Sequence, residues 1–408
     1  MLAVKAVQIR YQPSENVLRL LETFRRMVNY CIHVGLEKGV SSRFRLSNEV
    51  YHKLTGYGYH SWYVLGAIEV ATVILRNYRR AKRRNRKTKV PRARRLMAKI
   101  GNQAYKIVGD QLRIPIKPRE YFYVKLHKRV LEFMSDATLR LGSVTLTASK
   151  VVLTFVKTAE VAEPRGYVAF DINEKSVDGI TSDGKTIRYG LTRIYEINSN
   201  LFERVRKFQR KTANDNRIQK KVLCKWYRKR SNRVEAILHK VSKEIVENAK
   251  ADGYGIILEN LKGIKKVVNR KTWRINRFNG KAQRVSVNSK RLKRRLNQAC
   301  MRKLQHFIKY KALWEGVKVI EVNPKGTSSR CSICGSSLEY LNVHYARCPK
   351  CGILDRQWNA AINLLKTQDE LLRFGRDRWA DVAVKRNEGS VNSNPLSKSP
   401  EVNYKHHE

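Results

Sequence analysis

Four cysteines that lie within 21 residues could bind a single metal ion. They form two Cys-x-x-Cys pairs separated by 13 residues, Cys331 with Cys334 and Cys348 with Cys351. Two such turns can hold one tetrahedral Zn²⁺ through four thiolates. Because four thiolates leave no open coordination position, this spacing predicts a structural zinc site.

Three carboxylates lie where strands end or a helix begins. Asp171 and Glu259 each close a short apolar strand, and Asp355 precedes the last predicted helix. Carboxylate oxygens are natural ligands of Mg²⁺, and two such ions about 3.5–4 Å apart can activate water and stabilise the leaving oxygen of a phosphodiester. Each acid taken singly could instead be an ordinary turn or N-cap residue. Taken together in this order, the three predict a metal-dependent hydrolytic site.

The elements that carry these acids predict a mixed sheet flanked by helices, as in RNase H-like nucleases. Short apolar runs are typical of strands, and a 3.6-residue period is typical of helices. We predict strands at 167–170, 179–181 and 186–189, helices over 200–251 with a break near 213–216, a strand at 254–258, a basic loop at 262–284, a helix over 289–314, a strand at 317–322 and a helix over 358–372.

The N-terminal part has a different organisation. A strand at 3–10 precedes helices over 15–37 and 61–84, and residues 105–158 are rich in short β-type segments. These segments predict a small antiparallel sheet or barrel. We expect the first strand to join it across the helical insertion.

Two basic segments are candidate phosphate-contacting surfaces. Charge runs often form only a solvated helix face, but the density of Lys and Arg here favours contact with nucleic acid. The candidate residues are Arg79, Arg80, Lys82, Arg83, Arg84, Arg86 and Lys87 in the first segment and Arg291, Lys293, Arg294 and Arg295 in the second.

The overall charge favours the same class of partner. The 408 residues include 85 Lys and Arg against 34 Asp and Glu, a net charge of +51, and 42% are hydrophobic. Such self-repulsion argues against a free enzyme with a small-molecule substrate and favours a polyanion, whereas the hydrophobic fraction excludes a disordered basic tail. No segment reaches the roughly 20 apolar residues of a membrane span, and the N-terminus lacks a signal-peptide pattern. We therefore expect a cytoplasmic protein with no membrane partner.

Together these motifs resemble the TnpB (OrfB) family of transposon-encoded, RNA-guided DNA nucleases, which are similar to type V CRISPR effectors. The resemblance is densest over 166–365, and the N-terminal 160 residues match only in layout. It rests on Val168-Ala-Phe-Asp-Ile-Asn, Ile257-Leu-Glu-Asn-Leu, Lys309-Tyr-Lys-Ala-Leu-Trp-Glu-Gly-Val-Lys-Val-Ile-Glu-Val-Asn-Pro, Thr327-Ser-Ser-Arg-Cys-Ser-Ile-Cys-Gly and Asp355-Arg-Gln-Trp-Asn-Ala-Ala-Ile-Asn-Leu.

The resemblance implies a domain organisation. The expected fold class is α/β (α+β multidomain), with an RNase H/RuvC-like mixed sheet, flanking helices and an inserted zinc ribbon. The expected domains are a β-rich wedge (1–12 and 102–160), a helical recognition insertion (13–101), a RuvC-like nuclease domain (166–326 and 354–375), the zinc ribbon (327–353) and a disordered tail (376–408).

The resemblance also implies a function. The chain would be an Mg²⁺-dependent DNA endonuclease encoded by an insertion-sequence-type mobile element. It would cut double-stranded target DNA specified by a guide RNA and so support transposition and DNA recombination. Asp171, Glu259 and Asp355 would bind two catalytic Mg²⁺ ions, and the four cysteines a structural Zn²⁺.

One departure from the family pattern keeps other functions open. The third family motif usually reads Asp-Arg-Asp-x-Asn-Ala, but Gln357 stands where the second acid is expected. Asp355 serves in its place only if the helix start is displaced. The alternatives are a nuclease-dead, repressor-like protein that binds DNA through a guide RNA, and a metal-dependent transposase that acts without RNA. A purely structural zinc-ribbon RNA-binding protein would leave the ordered acids unexplained.

Overall fold

The structure is a computed structural model that describes residues 1–278, 280–342, 344–372 and 404–405. The chain divides into two units, Met1–Thr158 and Ala159–Glu408. The segment predicted to be a disordered tail, 376–408, lies outside the described residues apart from 404–405. Among the described helices, none combines the length and apolar composition needed to cross a bilayer.

The first unit contains two antiparallel sheets. Its strands are β1 (Leu2–Arg10), β2 (Met97–Ile100), β3 (Lys106–Val108), β4 (Gln111–Lys117), β5 (Glu120–Lys125), β6 (Arg140–Thr147) and β7 (Lys150–Thr158). One sheet has the order β1-β7-β6-β2 and the other the order β3-β4-β5. β1 pairs with β7 along its whole length, which confirms that the first strand joins the β-rich region across the helical insertion.

Helices make up the rest of the first unit. They are α1 (Glu15–Glu37), α2 (Arg43–Thr55), α3 (Ser61–Arg84) and α4 (Lys128–Ser135). α1 and α3 bury Phe24 and Tyr63 against each other, with ring centroids 6.4 Å apart. Gly66 of α3 lies so close to β2 that a Cβ there would be 2.0 Å from the carbonyl oxygen of Lys99.

One short strand of this unit lies inside the predicted helical insertion (13–101). Residues 97–100 form β2 and pair with β6. Four residues directly after a long basic run carry too little alternation to identify a strand, which is stabilised by pairing with β6 and by packing against α3.

The second unit is built on a six-stranded mixed sheet. Its strands are β8 (Gly166–Ile172), β9 (Ser176–Thr181), β10 (Thr186–Gly190), β11 (Tyr254–Glu259), β14 (Val319–Val322) and β18 (Tyr404–Lys405). Their order is β14-β11-β8-β9-β10-β18. The pairs β14–β11 and β11–β8 are parallel, whereas β8–β9 and β9–β10 are antiparallel. The predicted mixed α/β architecture is therefore confirmed.

Helices cover both faces of this sheet. They are α5 (Thr192–Lys211), α6 (Asn216–Ala251), α7 (Ile264–Val268), α8 (Lys290–Gln298), α9 (Met301–Glu315) and α10 (Arg356–Leu372). Because side chains alternate along a strand, Val168 and Phe170 pack against α6 and α9, whereas Tyr167 and Ala169 pack against α10. The face covered by α10 is the one that carries the site.

Two basic segments differ from the sequence prediction. The predicted loop at 262–284 contains α7 and a hairpin of β12 (Lys271–Ile275) and β13 (Ala282–Ser286). The helix predicted over 289–314 is broken at Ala299 and Cys300 into α8 and α9. The hairpin is largely exposed on both faces, so the hydrophobic alternation that identifies a strand is absent from its sequence.

Candidate functional site

Four side chains form one row across the sheet of the second unit. The register of the parallel pair β11–β8 makes Glu259 the neighbour of Asp171. Asp171 lies opposite Asp178 of β9, and Asp178 lies opposite Arg188 of β10. Since alternate residues share a face, Asp171 lies on the same face as Ala169, beneath α10. The sequence-predicted acids Asp171 and Glu259 are therefore brought together.

Asp171 and Glu259 form a buried carboxyl pair. They are only 8% and 9% exposed, and their side chains share a hydrogen bond. Burial raises the pKa of Asp171, and burial followed by the charge of Asp171 raises the pKa of Glu259. Asn173 Nδ2 donates to Asp171 Oδ2 at 2.8 Å, and Gln305 Nε2 donates to the backbone carbonyl of Glu259 at 2.7 Å. Neutral amides thus hold the Asp171 carboxyl and the backbone at Glu259 in place.

This pair fits one divalent cation. Two adjacent carboxyls in a buried site cannot both ionise readily, so without a cation they retain a proton. A hard divalent ion bound between their oxygens favours the ionised form of both groups. The donor set of Asp171 and Glu259 therefore suits a single Mg²⁺.

The raised pKa values predict how Mg²⁺ stabilises the protein at different pH. The pKa of Asp171 is raised to about 6 and that of Glu259 to about 8. In the metal-free protein, the folded pair binds more protons in this pH window than the same two carboxyls bind in the unfolded chain. The contribution of the pair to the free energy of unfolding is therefore lost as the pH rises through the window. Mg²⁺ competes with those protons, so it binds more tightly as the pH rises.

We therefore expect the increase in melting temperature on adding Mg²⁺ to grow between pH 6 and pH 8.5. The free energy by which Mg²⁺ stabilises the folded protein grows by about 1.4 kcal/mol per pH unit for each proton that the ion displaces. Calorimetry of the full chain with and without Mg²⁺ measures it, with Asp171→Asn as the control that flattens the pH dependence. An Mg²⁺ effect of the same size at every pH would contradict this assignment of the pair.

Asp355 has a different environment from the other two predicted acids. It ends strand β17 (Gly352–Asp355) and caps α10, because its Oδ1 accepts hydrogen bonds from the backbone N–H of Gln357 at 2.8 Å and of Trp358 at 3.2 Å. Burial raises its pKa, while these two N–H groups lower it. The N-cap interpretation that the sequence left open therefore accounts for this side chain.

Two substitutions separate a capping role from metal binding at Asp355. Asparagine caps a helix about as well as aspartate, whereas alanine costs about 1 kcal/mol. We expect Asp355→Asn to keep the wild-type melting temperature and the Mg²⁺-dependent stabilisation, and Asp355→Ala to lower the melting temperature. If Asp355→Asn removed the Mg²⁺ effect, Asp355 would be a metal ligand.

Gln357 is held by an arginine, which the sequence did not predict. Arg188 Nη2 donates to Gln357 Oε1 at 2.9 Å, and its Nε makes an ion pair with Asp178. Asp178 is fully buried and also accepts a hydrogen bond from Ser176 Oγ at 2.6 Å. The guanidinium carbon lies 5.0 Å from the ring centre of Trp358. The residues present therefore fit the predicted second Mg²⁺ poorly.

The four cysteines come together as predicted. Their Sγ atoms all lie within 4.8 Å of one another. Cys348 ends β16 (Tyr345–Cys348) and Cys351 directly precedes β17, in a small sheet that also contains β15 (Glu339–Tyr340), whereas Cys331 and Cys334 precede this sheet in the chain. Gly335 and Gly352 follow the two pairs with φ of 75° and 82°, a conformation that favours glycine. Hydrogen bonding with Ser336 lowers the pKa of Cys334, whereas burial raises the pKa of Cys331 and of Cys351. The cluster is consistent with a zinc ribbon and suggests zinc binding.

The ribbon is hydrogen-bonded directly to α10. Asn359 accepts from the backbone N–H of Ser332 at 2.7 Å and donates to the carbonyl of Arg330 at 2.8 Å. Asn363, one turn later, donates to the carbonyls of Thr327 and Arg330, both at 2.8 Å. These two amides connect the first cysteine turn with the helix that carries Gln357. The position of the first cysteine turn is therefore coupled to that of α10.

The first predicted phosphate-contacting segment is exposed. Its members lie in the last two turns of α3 and the loop that follows: Arg79, Arg80, Lys82, Arg83, Arg84, Arg86 and Lys87. Of these, Arg79 donates to Ser41 Oγ at 2.5 Å and to the carbonyl of Gly39. The segment therefore presents a dense positive surface on the first unit.

The second predicted segment, on α8, is more closely packed. Arg291 is exposed, whereas Lys293, Arg294 and Arg295 are half-buried. Arg295 makes an ion pair with Glu174, and its Nε lies 3.1 Å from each carboxylate oxygen. Arg291 is therefore the most accessible of the four to a nucleic acid.

Two family models match parts of the chain. The model described as "Cas12f1-like, TNB domain" matches residues 302–364, which span α9, the cysteine cluster and the first half of α10. The "Uncharacterized protein MJ0013 family" model matches residues 20–115 in the first unit. The first match therefore includes the four cysteines, Asp355 and Gln357.

Several known proteins are similar to this chain in sequence. The TnpB-like protein MJ0751 of Methanocaldococcus jannaschii is 29% identical over 281 residues, which cover 66% of this chain and 95% of that protein. The TnpB-like protein MJ1635 of the same organism is 25% identical, over 88% of this chain and 84% of that protein. The CRISPR-associated endodeoxyribonuclease Cas12f2 of a Micrarchaeota archaeon is 32% identical over 143 residues, 33% of this chain and 23% of that protein.

A solved structure shares the fold. The Cas12f1 chain in a cryo-EM structure of the Cas12f1-sgRNA-target DNA complex superposes with a TM-score of 0.55 over 86% of this chain and 81% of that chain. The sequence identity is 14%, so this comparison concerns the fold alone.

Proposed function

Because the chain belongs to the TnpB family, which is related to the type V CRISPR effectors, we propose that it is an RNA-guided DNA endonuclease. The observation that carries this proposal is the buried Asp171–Glu259 pair beneath α10. Burying two adjacent carboxyls costs folding free energy, because both lose hydration and their charges repel each other. A site that keeps such a pair in a chain of net charge +51 is typical of metal-dependent phosphodiester hydrolysis.

In the proposed mechanism, Asp171 and Glu259 would hold a divalent ion, which would supply Lewis-acid activation of the phosphodiester and of the attacking water. Asn173 orients the Asp171 carboxylate, and Gln305 fixes the end of β11. The burial of both acids keeps bulk water from screening the charges that the reaction develops. The positive charge of Arg188, in the same row, stabilises the phosphate that approaches.

The proposed partners are a guide RNA and double-stranded target DNA. The Cas12f1 relative was solved with a single guide RNA and target DNA. In this chain the exposed basic end of α3 supplies a surface for phosphate contacts. Six to ten such contacts would lose roughly 10³–10⁵ in affinity between 50 and 200 mM salt.

The proposal extends to the biological setting. The protein is encoded by an insertion-sequence-type mobile element, acts in the prokaryotic cytoplasm or nucleoid and supports transposition and DNA recombination by cutting target DNA. The guide RNA comes from the element itself, and base pairing between guide and target supplies the sequence specificity.

Sequencing the RNA that purifies with the protein tests this function. We expect one discrete RNA species, and we expect the complex to bind duplex DNA complementary to it more tightly than scrambled DNA. The exposed surface variant Arg83→Glu/Arg84→Glu should weaken binding to both duplexes and leave the ratio between them unchanged. Absence of a discrete RNA would favour the transposase that acts without RNA.

A second candidate function is RNA-guided DNA binding without cleavage. It is favoured by one observation, that the last helix contributes a helix cap and an arginine-bound amide where a third metal ligand is expected. This candidate predicts guided DNA binding with no strand break in the presence of Mg²⁺. Incubating the protein–RNA complex with a matching supercoiled plasmid and Mg²⁺ separates the two candidates.

A further inference from the structure

A guanidinium group lies where this site lacks a third acid. Arg188 makes an ion pair with Asp178 and donates to Gln357 at 2.9 Å. Its guanidinium also lies 5.0 Å from the ring centre of Trp358, and its side chain is 16% exposed. The sheet holds this cation from one side and the first turn of α10 from the other. Its position is therefore set by both elements that build the site.

Asp178 and Asp355, the two acids beside Arg188, already have bonding partners. Asp178 is neutralised by Arg188 itself and accepts a hydrogen bond from Ser176. Asp355 uses its Oδ1 to cap α10. A second divalent ion would need at least one of these carboxylates, and it would also be repelled by the guanidinium charge.

We propose that Arg188, clamped by Asp178 and Gln357, takes the place of a second divalent cation, so that the centre holds a single divalent ion between Asp171 and Glu259. This inference rests on the proposed function, because it describes the metal content of the proposed nuclease centre. Arg188 is a positioned charge that remains in the site at every metal concentration.

The arrangement has a consequence for restoring the usual family acid. Gln357→Asp would place a carboxylate against the guanidinium, and arginine–carboxylate pairs are among the strongest charge-assisted hydrogen bonds in proteins. The new carboxylate would form an ion pair with Arg188 and would not be available to bind a metal ion. A second ion requires that the positive charge at position 188 be removed as well.

Counting bound Mn²⁺ tests this proposal without RNA or DNA. The full chain, loaded with zinc and freed of nucleic acid at high salt, is titrated with Mn²⁺ by calorimetry and electron paramagnetic resonance. Sites that disappear in Asp171→Asn are counted as sites of the centre. We expect one such site in the wild type, one in Gln357→Asp, and two in the double variant Arg188→Gln/Gln357→Asp.

A charge-conserving variant is the matched control. Arg188→Lys/Gln357→Asp keeps the cation, so we expect it to bind one Mn²⁺. Zinc content and melting temperature report whether each variant folds. If the double variant with glutamine does not fold, the single variant Arg188→Gln provides the measurement, and we expect its Mn²⁺ affinity to rise at least about tenfold because a repelling charge is gone.

Each outcome bears on the proposal. Two ions in the wild type, two in Gln357→Asp, one in a folded Arg188→Gln/Gln357→Asp, or an unchanged affinity in Arg188→Gln would overturn it. Failure to cleave DNA would leave the ion count unaffected and would instead count against the proposed function. Different results therefore contradict the single-ion proposal and the proposed nuclease function.

Discussion

Replacing Asp171 with asparagine is expected to abolish DNA cleavage while guided DNA binding is retained. The substitution conserves shape but removes one of the two carboxylates that fit the divalent ion. Losing metal activation of the phosphodiester costs several kcal/mol of transition-state stabilisation, which lowers the cleavage rate by at least about 1,000-fold. Single-turnover cleavage of a matched duplex, beside a filter-binding assay, measures both quantities.

Asp183→Asn is the matched control for this variant. Asp183 is exposed on the turn between β9 and β10, in the same sheet but away from the row. We expect its cleavage rate to equal that of the wild type. The metal-free Asp171→Asn protein should also melt at the same temperature as the wild type or higher, because a buried repulsion is relieved. Cleavage by Asp171→Asn at a wild-type rate would show that another site does the chemistry.

Replacing Cys348 with serine is expected to remove zinc and, with it, both the order of the ribbon and DNA cleavage. Structural zinc sites supply about 10–16 kcal/mol of apparent binding free energy in small zinc-finger peptides, and this energy maintains the fold around the ion. The first cysteine turn is also the partner of Asn359 and Asn363 on α10. Zinc analysis by mass spectrometry, together with thermal unfolding, measures the effect.

Cys224 provides the control for the zinc prediction. It is an exposed cysteine of α6, outside the four-cysteine cluster. We expect Cys224→Ser to keep one zinc per chain, the wild-type melting temperature and full cleavage. A Cys348→Ser protein that kept stoichiometric zinc would rule out the four-thiolate site. One that lost zinc but still cut DNA would show that the ribbon does not position α10.

The parts of the site that the sequence predicted are those defined by local pattern. The cysteine turns are short and carry their own spacing, and they meet within 4.8 Å. Asp171 and Glu259 end apolar strands, and parallel strands bring such ends to one edge of a sheet. The break between α5 and α6 was also predictable, because Asp215 is a typical N-cap and accepts from the backbone N–H of Ile218.

The parts that the sequence did not predict depend on pairing and on a helix boundary. Asp178 and Arg188 are partners only because β9 and β10 pair in one particular register, and a shift by one residue would place them on opposite faces. The only local signal was an aspartate inside an otherwise apolar strand, which is unfavourable without a partner. The role of Asp355 depends on α10 beginning at Arg356, and helix ends are poorly defined by sequence.

We propose that this chain cuts DNA specified by an RNA guide through the Asp171–Glu259 pair. Plasmid cleavage tests this activity: the purified protein is incubated with its RNA and Mg²⁺ on two supercoiled plasmids, one carrying a sequence complementary to the guide and one with that sequence scrambled. We expect the matching plasmid to be nicked or linearised, the scrambled plasmid to stay supercoiled, and chelation of Mg²⁺ to stop cleavage. Tight binding to the matching plasmid without any strand break, even at excess protein, would contradict it.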